Sequence, residues 1–218
     1  MSASSYLFLA YAVLMVRMND ALISSLAAEC KNYAECIEHV INSTYVDCEG
    51  DLSCEASTIS STNSNEALGD GYIECSGDSA CKRSALYSAH QIECLAHQSC
   101  YFPDYIIAES DVQCTGDHAC YSNSYMSTDV HIKSIDANVF CEGTGACLDA
   151  KIEAAANVYC VGSESCSNAQ INSDDSVYCD ANLACKESTI KALNQVYCSS
   201  VQGCNRAVHI AANTVYAY

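Results

Sequence analysis

The eighteen cysteines of this 218-residue chain fall into nine pairs that share one spacing, C-x5-C. Such pairs can bind zinc or form disulfides, and structural zinc sites typically place fewer residues between paired ligands. Joining each cysteine to its C-x5-C partner leaves no thiol over, whereas pairing along a column of nine leaves one. The spacing therefore predicts nine disulfides, with zinc as the alternative. The pairs are Cys30/Cys36, Cys48/Cys54, Cys75/Cys81, Cys94/Cys100, Cys114/Cys120, Cys141/Cys147, Cys160/Cys166, Cys179/Cys185 and Cys198/Cys204.

Carboxylates flank the first cysteine of several pairs in the first half of the chain, at Asp47, Glu49, Glu74 and Glu93. If the pairs belong to stacked repeats, these carboxylates lie one above another. Their oxygens can then share Ca²⁺, which prefers oxygen ligands, or the side chains can splay into water. The glycine-rich repeat of calcium-binding β-helices is absent. Calcium is the one cofactor that the sequence brings into consideration.

The residue before the first cysteine becomes aromatic in the second half of the chain. Rings one repeat apart can stack as a ladder that stabilises the fold. An exposed ladder can also bind a polysaccharide or a neighbouring molecule. Both interpretations stay open, and the candidate binding stripe consists of Phe140, Tyr159, Tyr178, Tyr197 and Tyr216.

Other catalytic and binding classes find little support. The net charge of −18 argues against nucleic acid and anionic lipid, which bind clustered Lys and Arg. Arg83 and Arg206 are far apart, and Asp174 and Asp175 have no basic neighbour in the sequence. No nucleophile elbow, zinc-protease or phosphate-loop motif occurs. We therefore expect no enzyme activity, and a polysaccharide-active enzyme ranks third among the functions.

The elements that position these residues follow from the period. Successive pairs begin 18 to 20 residues apart, except for two intervals of 27. Val recurs two residues before the first cysteine, and a small residue and then Ile follow the second cysteine. Each half alternates in steps of two, which indicates a short strand, and one repeat cannot bury its own apolar face. Leucine-rich and helical repeats lack their patterns. The sequence predicts an all-β parallel β-solenoid of about nine 19-residue coils with intra-coil disulfides, whose thin interior is filled by sulfur and methyl groups.

The element C-x5-C-x2-[AS], as in Cys160 to Ala169, resembles the repeat of the disulfide-stapled β-helical antifreeze proteins of beetles. The longer unit is also similar to uncharacterised cysteine-rich repeat proteins of protists. These resemblances imply the fold and a secreted context. The flat Thr-Cys-Thr face of the beetle proteins is missing, and a shared fold does not carry a shared function. We therefore expect a structural or adhesive extracellular role, with a carbohydrate- or ice-binding module as the alternative.

An apolar run, Tyr6–Val16, suits a signal peptide, which we expect over residues 1–27 with an uncertain cleavage site. Residues 28–218 then form one solenoid domain. Cleavage after Ala21 would leave residues 22–29 as a helical cap over the first coil, and the other interpretation is that the whole N-terminus forms such a cap. Paired cysteines favour an oxidising, extracellular compartment, and Asn42 lies in the one glycosylation sequon. No membrane span is expected.

Two insertions interrupt the period, around Ser60–Gly71 and Ser122–Asp136, and both are predicted to leave the same edge of the rod. Near the end, Val215 and Tyr216 occupy the slots of a further coil, and Ala217 stands at its cysteine position. This pattern predicts an open strand edge that favours end-to-end self-association. An extracellular-matrix or cell-wall partner is the other expected contact.

Overall fold

The computed structural model describes residues 22–62, 71–122, 130–200, 202–211 and 213–216. Within these ranges the chain forms eighteen strands that join in one sheet with parallel pairing between turns. The predicted parallel β-solenoid is confirmed. It has about eight turns, close to the nine coils that the cysteine pairs predict.

The strands form two walls. β1 (Leu22–Glu29) and β2 (Val40–Cys48) run through both, and from there each turn contributes one short strand to each wall. Wall A holds the strands that follow the second cysteine: β3 (Thr58–Ser61), β5 (Ala85–Ser88), β7 (Tyr105–Ala108), β9 (His131–Ser134), β11 (Lys151–Ala154), β13 (Gln170–Ser173), β15 (Thr189–Ala192) and β17 (Val208–Ile210). Wall B holds the strands that lead to the first cysteine: β4 (Tyr72–Cys75), β6 (Gln91–Cys94), β8 (Val112–Cys114), β10 (Val139–Cys141), β12 (Val158–Cys160), β14 (Val177–Cys179), β16 (Gln195–Cys198) and β18 (Asn213–Tyr216).

The interior consists of columns of equivalent residues. The register sets Val158 against Val177 and Cys160 against Cys179, and wall A stacks its isoleucines in the same way. The Val, Ile and Cys of these columns are buried, and outward neighbours alternate with them along each strand. Buried serines fill the remaining inward sites, and several of their hydroxyls donate to backbone carbonyls, as Ser134 does to Ser110 at 2.7 Å. The core therefore needs neither aromatic rings nor a large diameter.

All nine C-x5-C pairs are disulfides, with Cα–Cα distances between 5.8 and 6.1 Å. No described cysteine is free. Each bridge closes one turn and joins no two turns, as the parity of the cysteines predicts. The zinc alternative loses its ligands, because a disulfide sulfur is not a thiolate.

The expected interior position of the sulfurs needs a correction at the two end bridges. All nine first cysteines are buried, and so are the second cysteines of the inner bridges, such as Cys147, Cys166 and Cys185. Cys36 and Cys204, the second cysteines of the first and last bridges, are only partly buried. The reason is their place in the stack, because a neighbouring bridge covers each of them on one side only.

A third wall, which we call the turn wall, runs from the first cysteine of each pair to wall A. The regular strands end at that cysteine, so the turn wall is not a continuation of wall B. Many of its alternate residues are left-handed: Ser79, Cys81 and Arg83 have φ of 57°, 54° and 57°. The N–H of Ser79 donates to His97 of the next turn at 3.1 Å, and that of Arg83 donates to Tyr101 at 2.9 Å. This wall is therefore bonded between turns as the strands are.

The second cysteines of the turn wall adopt two backbone conformations, which the uniform spacing does not predict. Cys36 and Cys147 are left-handed, with φ of 55° and 53°, and the N–H of Cys147 donates to Ala119 of the preceding turn at 3.0 Å. Cys166, Cys185 and Cys204 do not have a positive φ. There the direction is reversed, as the N–H of Cys166 donates to Ala184 of the following turn at 2.7 Å. Both conformations place the sulfur within reach of the first cysteine.

The left-handed sites of the turn wall carry a testable cost. Ala56 is exposed and has a φ of 56°, a region that glycine enters freely and β-branched residues avoid. We expect Ala56→Gly to raise the free energy of unfolding by up to about 1 kcal/mol, and Ala56→Val to lower it by about 2 kcal/mol. Thermal unfolding of the oxidised variants measures both. Equal effects of Gly and Val would contradict the left-handed conformation.

The expected helix over residues 22–29 is wrong. Leu22–Glu29 is the strand β1, paired with β2 from Leu22↔Val40 to Glu29↔Asp47, and not a helix, because its polar and apolar residues suit a strand that extends both walls. A cut after Ala27 would divide this strand. The signal peptide itself stays a prediction, since residues 1–21 lie outside the described ranges. In the part of the chain that the structure describes, no helix has the length and hydropathy to cross a membrane.

The two insertions do not leave the same edge. The chain enters the first insertion after the wall A strand β3, whereas it leaves the second insertion before the wall A strand β9. The second is shorter than expected, because Val130 and Ile132 are buried in the regular columns of wall A. Ile135, in contrast, is 39% exposed. Residues 63–70 and 123–129 lie outside the described ranges.

Candidate functional site: the outward column of wall B

The residues just before the first cysteine form one continuous file, which we call the outward column. Parallel pairing sets each member directly beside its equivalent in the next turn. Glu29 is exposed and the others are partly buried. In order, the nine members are Glu29, Asp47, Glu74, Glu93, Gln113, Phe140, Tyr159, Tyr178 and Tyr197.

The aromatic half of the column is a stacked ladder. The ring centroids of Phe140 and Tyr159 are 4.9 Å apart with planes 5° apart, and those of Tyr159 and Tyr178 are 5.0 Å and 7° apart. Tyr197 is tilted by 50° at 6.2 Å from Tyr178. The stacked rings cover one another's faces and present their edges and hydroxyls to solvent. Burial, and then the neighbouring Tyr178, raise the pKa of Tyr159.

The prediction that Tyr216 continues this ladder is wrong. The last strand is shifted by one residue, so that Tyr197 pairs with Val215 and Tyr216 pairs with Cys198. Residues 213–216 include no cysteine, so no disulfide fixes their register.

The acidic half of the column brings together three of the four predicted calcium ligands. Asp47 pairs with Glu74, and Glu74 pairs with Glu93. Partial burial, followed for Glu74 by the charges of Asp47 and Glu93, raises the pKa of Asp47 and of Glu74. Lys31 offsets part of this charge, with its Nζ 3.2 Å from Glu29 and 3.9 Å from Asp47.

The fourth predicted ligand, Glu49, lies apart from the file. It follows Cys48 on the turn wall and is exposed. Among the described residues, the groups of potential ligand atoms that lie within 4.8 Å of one another consist of disulfide-bonded cysteines. Calcium binding by the column stays a prediction, and it would require the carboxylates to draw together.

The like charges of the acidic half should cost stability at neutral pH. Because the pKa of Glu74 is raised, the folded state binds this proton more readily than the unfolded state. Stability therefore falls as the pH rises through that pKa. We expect Glu74→Gln to raise the free energy of unfolding by about 0.5 kcal/mol at pH 7, and the gain to vanish as the pH falls below the pKa. Denaturant titrations at several pH values measure this.

The control for this variant is Glu142→Gln, which removes a charge from an exposed site beside wall B. It should change stability by less than half as much. A gain from Glu74→Gln that is the same at every pH would show that repulsion within the column is not its cause.

A pair of tyrosines beside the acidic half was not anticipated. Tyr45 and Tyr72 are stacked, with ring centroids 5.7 Å apart and planes 3° apart. Burial, and then the charges of Asp47 and Glu74, raise the pKa of Tyr45 to about 12. Both residues lie three positions before the first cysteine of a pair. Aligning the repeats on that cysteine would have revealed this position.

In the middle of the rod, the same repeat position, three residues before the first cysteine, carries a ladder of amide hydrogen bonds. Asn138 donates its N–H and its Nδ2 to Oδ1 of Asp111, at 2.9 and 3.1 Å. Asn157 donates in the same way to Oδ1 of Asn138, at 3.0 and 3.2 Å. The outward column is therefore flanked by ordered polar side chains.

A second polar cluster lies on wall A. The Nζ of Lys151 is 2.6 Å from Oε1 of Glu153, and the Nε2 of His131 and Nζ of Lys133 are 3.3 and 3.8 Å from Oε2. The hydrogen bond from Lys151 is the main cause of the lowered pKa of Glu153. This carboxylate is held ionised, which suits an ion pair and makes it a poor general acid.

Beside this cluster a shallow cleft of about 330 Å³ opens at the corner of walls A and B. Its polar lining includes Lys133, Glu153, Asn172 and Asp174, and its floor is Ala154. The sequence did not predict it, because the lining comes from three different turns. Such a cleft can accept a hydroxylated ligand.

The predicted glycosylation site, Asn42, points away from the core on β2 and is exposed. Its backbone neighbours across the sheet are Ser24 and Ser60, and the Thr62 hydroxyl donates to its Oδ1 at 3.4 Å. Comparison of the chain with protein-family models, with curated proteins and with solved structures finds no match.

Proposed function

We propose that this chain is a secreted structural element of extracellular material that adheres to neighbouring molecules through its outward column. The observation that carries the proposal is the stack of nine disulfides, one for each cysteine pair. Disulfides of this density persist in oxidising compartments, and a disulfide-rich solenoid fits an extracellular structural protein. An acidic surface keeps such a rod soluble until it is assembled.

The adhesive part of the proposal is supported by how firmly the side chains of the outward column are held in place. A stacked ladder of rings, flanked by hydrogen-bonded amides, is a rigid surface that loses little side-chain entropy on contact. Self-association can occur side to side through this surface. It can also occur end to end, by continuing the parallel backbone ladder from turn to turn.

A carbohydrate- or ice-binding module is the second candidate. The cleft on wall A favours a saccharide, because it combines amide, carboxylate and ammonium groups with an apolar floor. The aromatic ladder does not, because sugars stack on ring faces and those faces are covered by neighbouring rings. Ice binding would require a flat array of threonines, which the outward column lacks.

Catalysis is not part of the proposal. A glycoside-cleaving site requires one carboxyl group that can donate a proton and another that stays ionised. Glu153 is the carboxylate of the cleft that is bound by cations. Because the hydrogen bond from Lys151 keeps it ionised, it does not suit the role of proton donor. We propose no cofactor other than calcium, which stays a predicted bridging ion at Asp47, Glu74 and Glu93.

The test is expression of the full chain in a eukaryotic secretory host. We expect oxidised protein in the medium, with no reactive thiol by mass spectrometry and a mass shift on enzymatic deglycosylation. Asn42→Gln is the control and should abolish that shift alone. Retention in the cytosol with free thiols would refute the extracellular role. Co-sedimentation with insoluble polysaccharides would favour the second candidate.

A further inference from the structure

The outward column has a pattern that the separate interpretations of its two halves do not use. Gln113 stands fifth of nine, with four carboxylates before it and four aromatic rings after it. All members are spaced by the same step, the distance between turns. Reversing the column about Gln113 therefore sets every carboxylate level with a ring.

We propose that two copies of this chain pair antiparallel through their outward columns, with a two-fold axis that crosses the rods at Gln113. This rests on the self-association in the proposed function and specifies its surface and symmetry. The axis brings Glu74 level with Tyr159 of the second copy, Asp47 with Tyr178, Glu29 with Tyr197, and Glu93 with Phe140. Gln113 meets Gln113.

The chemistry is complementary at the three levels that set a carboxylate against a tyrosine, whereas Phe140 offers no hydroxyl to Glu93. Within the described residues, nothing accepts a hydrogen bond from the hydroxyls of Tyr159, Tyr178 or Tyr197. A carboxylate has several lone pairs and can accept more than one hydrogen bond, and a hydrogen bond to a charged acceptor is stronger than one to a neutral acceptor. The chain already makes this contact internally, where the Tyr87 hydroxyl donates to Glu109 at 3.2 Å.

The same pattern selects the antiparallel direction. Parallel pairing at equal height would set carboxylate against carboxylate through the whole acidic half, and such facing like charges repel. Antiparallel pairing separates the two acidic halves to opposite ends of the pair. The like-charged residue nearest the axis is Asp111, and its Oδ1 already accepts two hydrogen bonds from Asn138.

The size of the face fits a specific pair. Nine levels at about 4.8 Å span roughly 38 Å between the first and the last. A strip of this length and about 15 Å wide buries on the order of 1,100 Å² over two copies, at the lower limit of specific interfaces. We therefore expect a reversible dimer and not a permanent one.

The first test uses the axis. Gln113 is partly buried on the surface of wall B, and a cysteine introduced there meets its own copy. Under mild oxidation, Gln113→Cys should give a covalent dimer in which peptide mapping finds the two introduced thiols joined to each other. The control, Asn172→Cys on wall A, should stay largely monomeric on non-reducing gels.

The second test removes hydroxyls and keeps rings. In sedimentation velocity, the triple variant Tyr159→Phe, Tyr178→Phe and Tyr197→Phe should dimerise at least about tenfold more weakly than the wild type. Asp111→Asn should dimerise more tightly. Added salt should strengthen the dimer, because each copy carries a net charge of −18.

The outcomes separate the inference from the function on which it rests. If the wild type associates but Gln113→Cys does not cross-link and the Phe variant is unchanged, the antiparallel interface is wrong and adhesion through another surface remains. If the wild type is monomeric at every concentration and salt level, both the interface and self-association are refuted. Cross-linking of both cysteine variants to the same extent would also refute the interface.

Discussion

Reduction of all nine disulfides should unfold this protein completely in water at 25 °C. Each bridge closes a loop between cysteines six positions apart, and restraining such a loop contributes about 2 kcal/mol in the chain-entropy model. Nine bridges contribute on the order of 20 kcal/mol, more than the typical stability of a domain. The thin core, built from Val, Ile, Ala and Ser, cannot replace that contribution.

The experiment reduces the protein in denaturant, alkylates the thiols and returns the chain to buffer. Mass spectrometry should count eighteen alkylated cysteines, and circular dichroism should show the loss of the strand signal. The control passes through the same steps without reductant and should recover its native spectrum. A fully alkylated chain that regains its strands would show that the backbone ladder and the isoleucine columns suffice for the fold.

Truncation of one inward isoleucine should have the largest effect of any single aliphatic substitution. Ile106 and Ile107 are neighbours on β7, one buried in the column of wall A and the other on the outer face. We expect Ile106→Ala to lower the free energy of unfolding by about 3 kcal/mol, because it leaves a cavity between Leu86 and Ile132. Ile107→Ala should cost less than about 1 kcal/mol.

Denaturant unfolding of the two oxidised variants gives this comparison directly, since both remove the same atoms from the same strand. Similar losses in both would mean that wall A is packed on its two faces. A larger loss for Ile107→Ala would place the core on the wrong side of the strand.

Much of the fold was predictable because the repeat is nearly exact where the core is. Cysteine spacing predicted the bridges, and alternation of Val158 with Cys160 and of Ala150 with Ile152 predicted the inward faces. The turn wall was not predictable, because its left-handed positions hold residues as different as Ala56, Arg83 and Phe102. Hydrogen bonds between turns impose this backbone conformation, and no residue preference marks it in the sequence.

The candidate site was predicted in part, for a related reason. Asp47, Glu74 and Tyr159 keep a fixed distance from a cysteine, so their stacking follows from the period. Glu29 stands directly before Cys30, so the same cysteine alignment would have revealed it, whereas Tyr216 was misplaced because no disulfide fixes its strand. The cleft at Glu153 depends on neighbours in adjacent turns, which a single repeat does not reveal.

The location of every bridge inside a turn also determines how the rod responds to a pulling force. No covalent link joins one turn to the next except the chain itself, so tension along the axis can peel turns from an end, one at a time. Each peeled turn would release about 13 residues outside its disulfide loop, or roughly 40 Å of extended chain. The paired cysteines stay correctly joined throughout. A stretched rod would therefore refold its turns when the force is removed, without any exchange of disulfides, and its extension would be reversible.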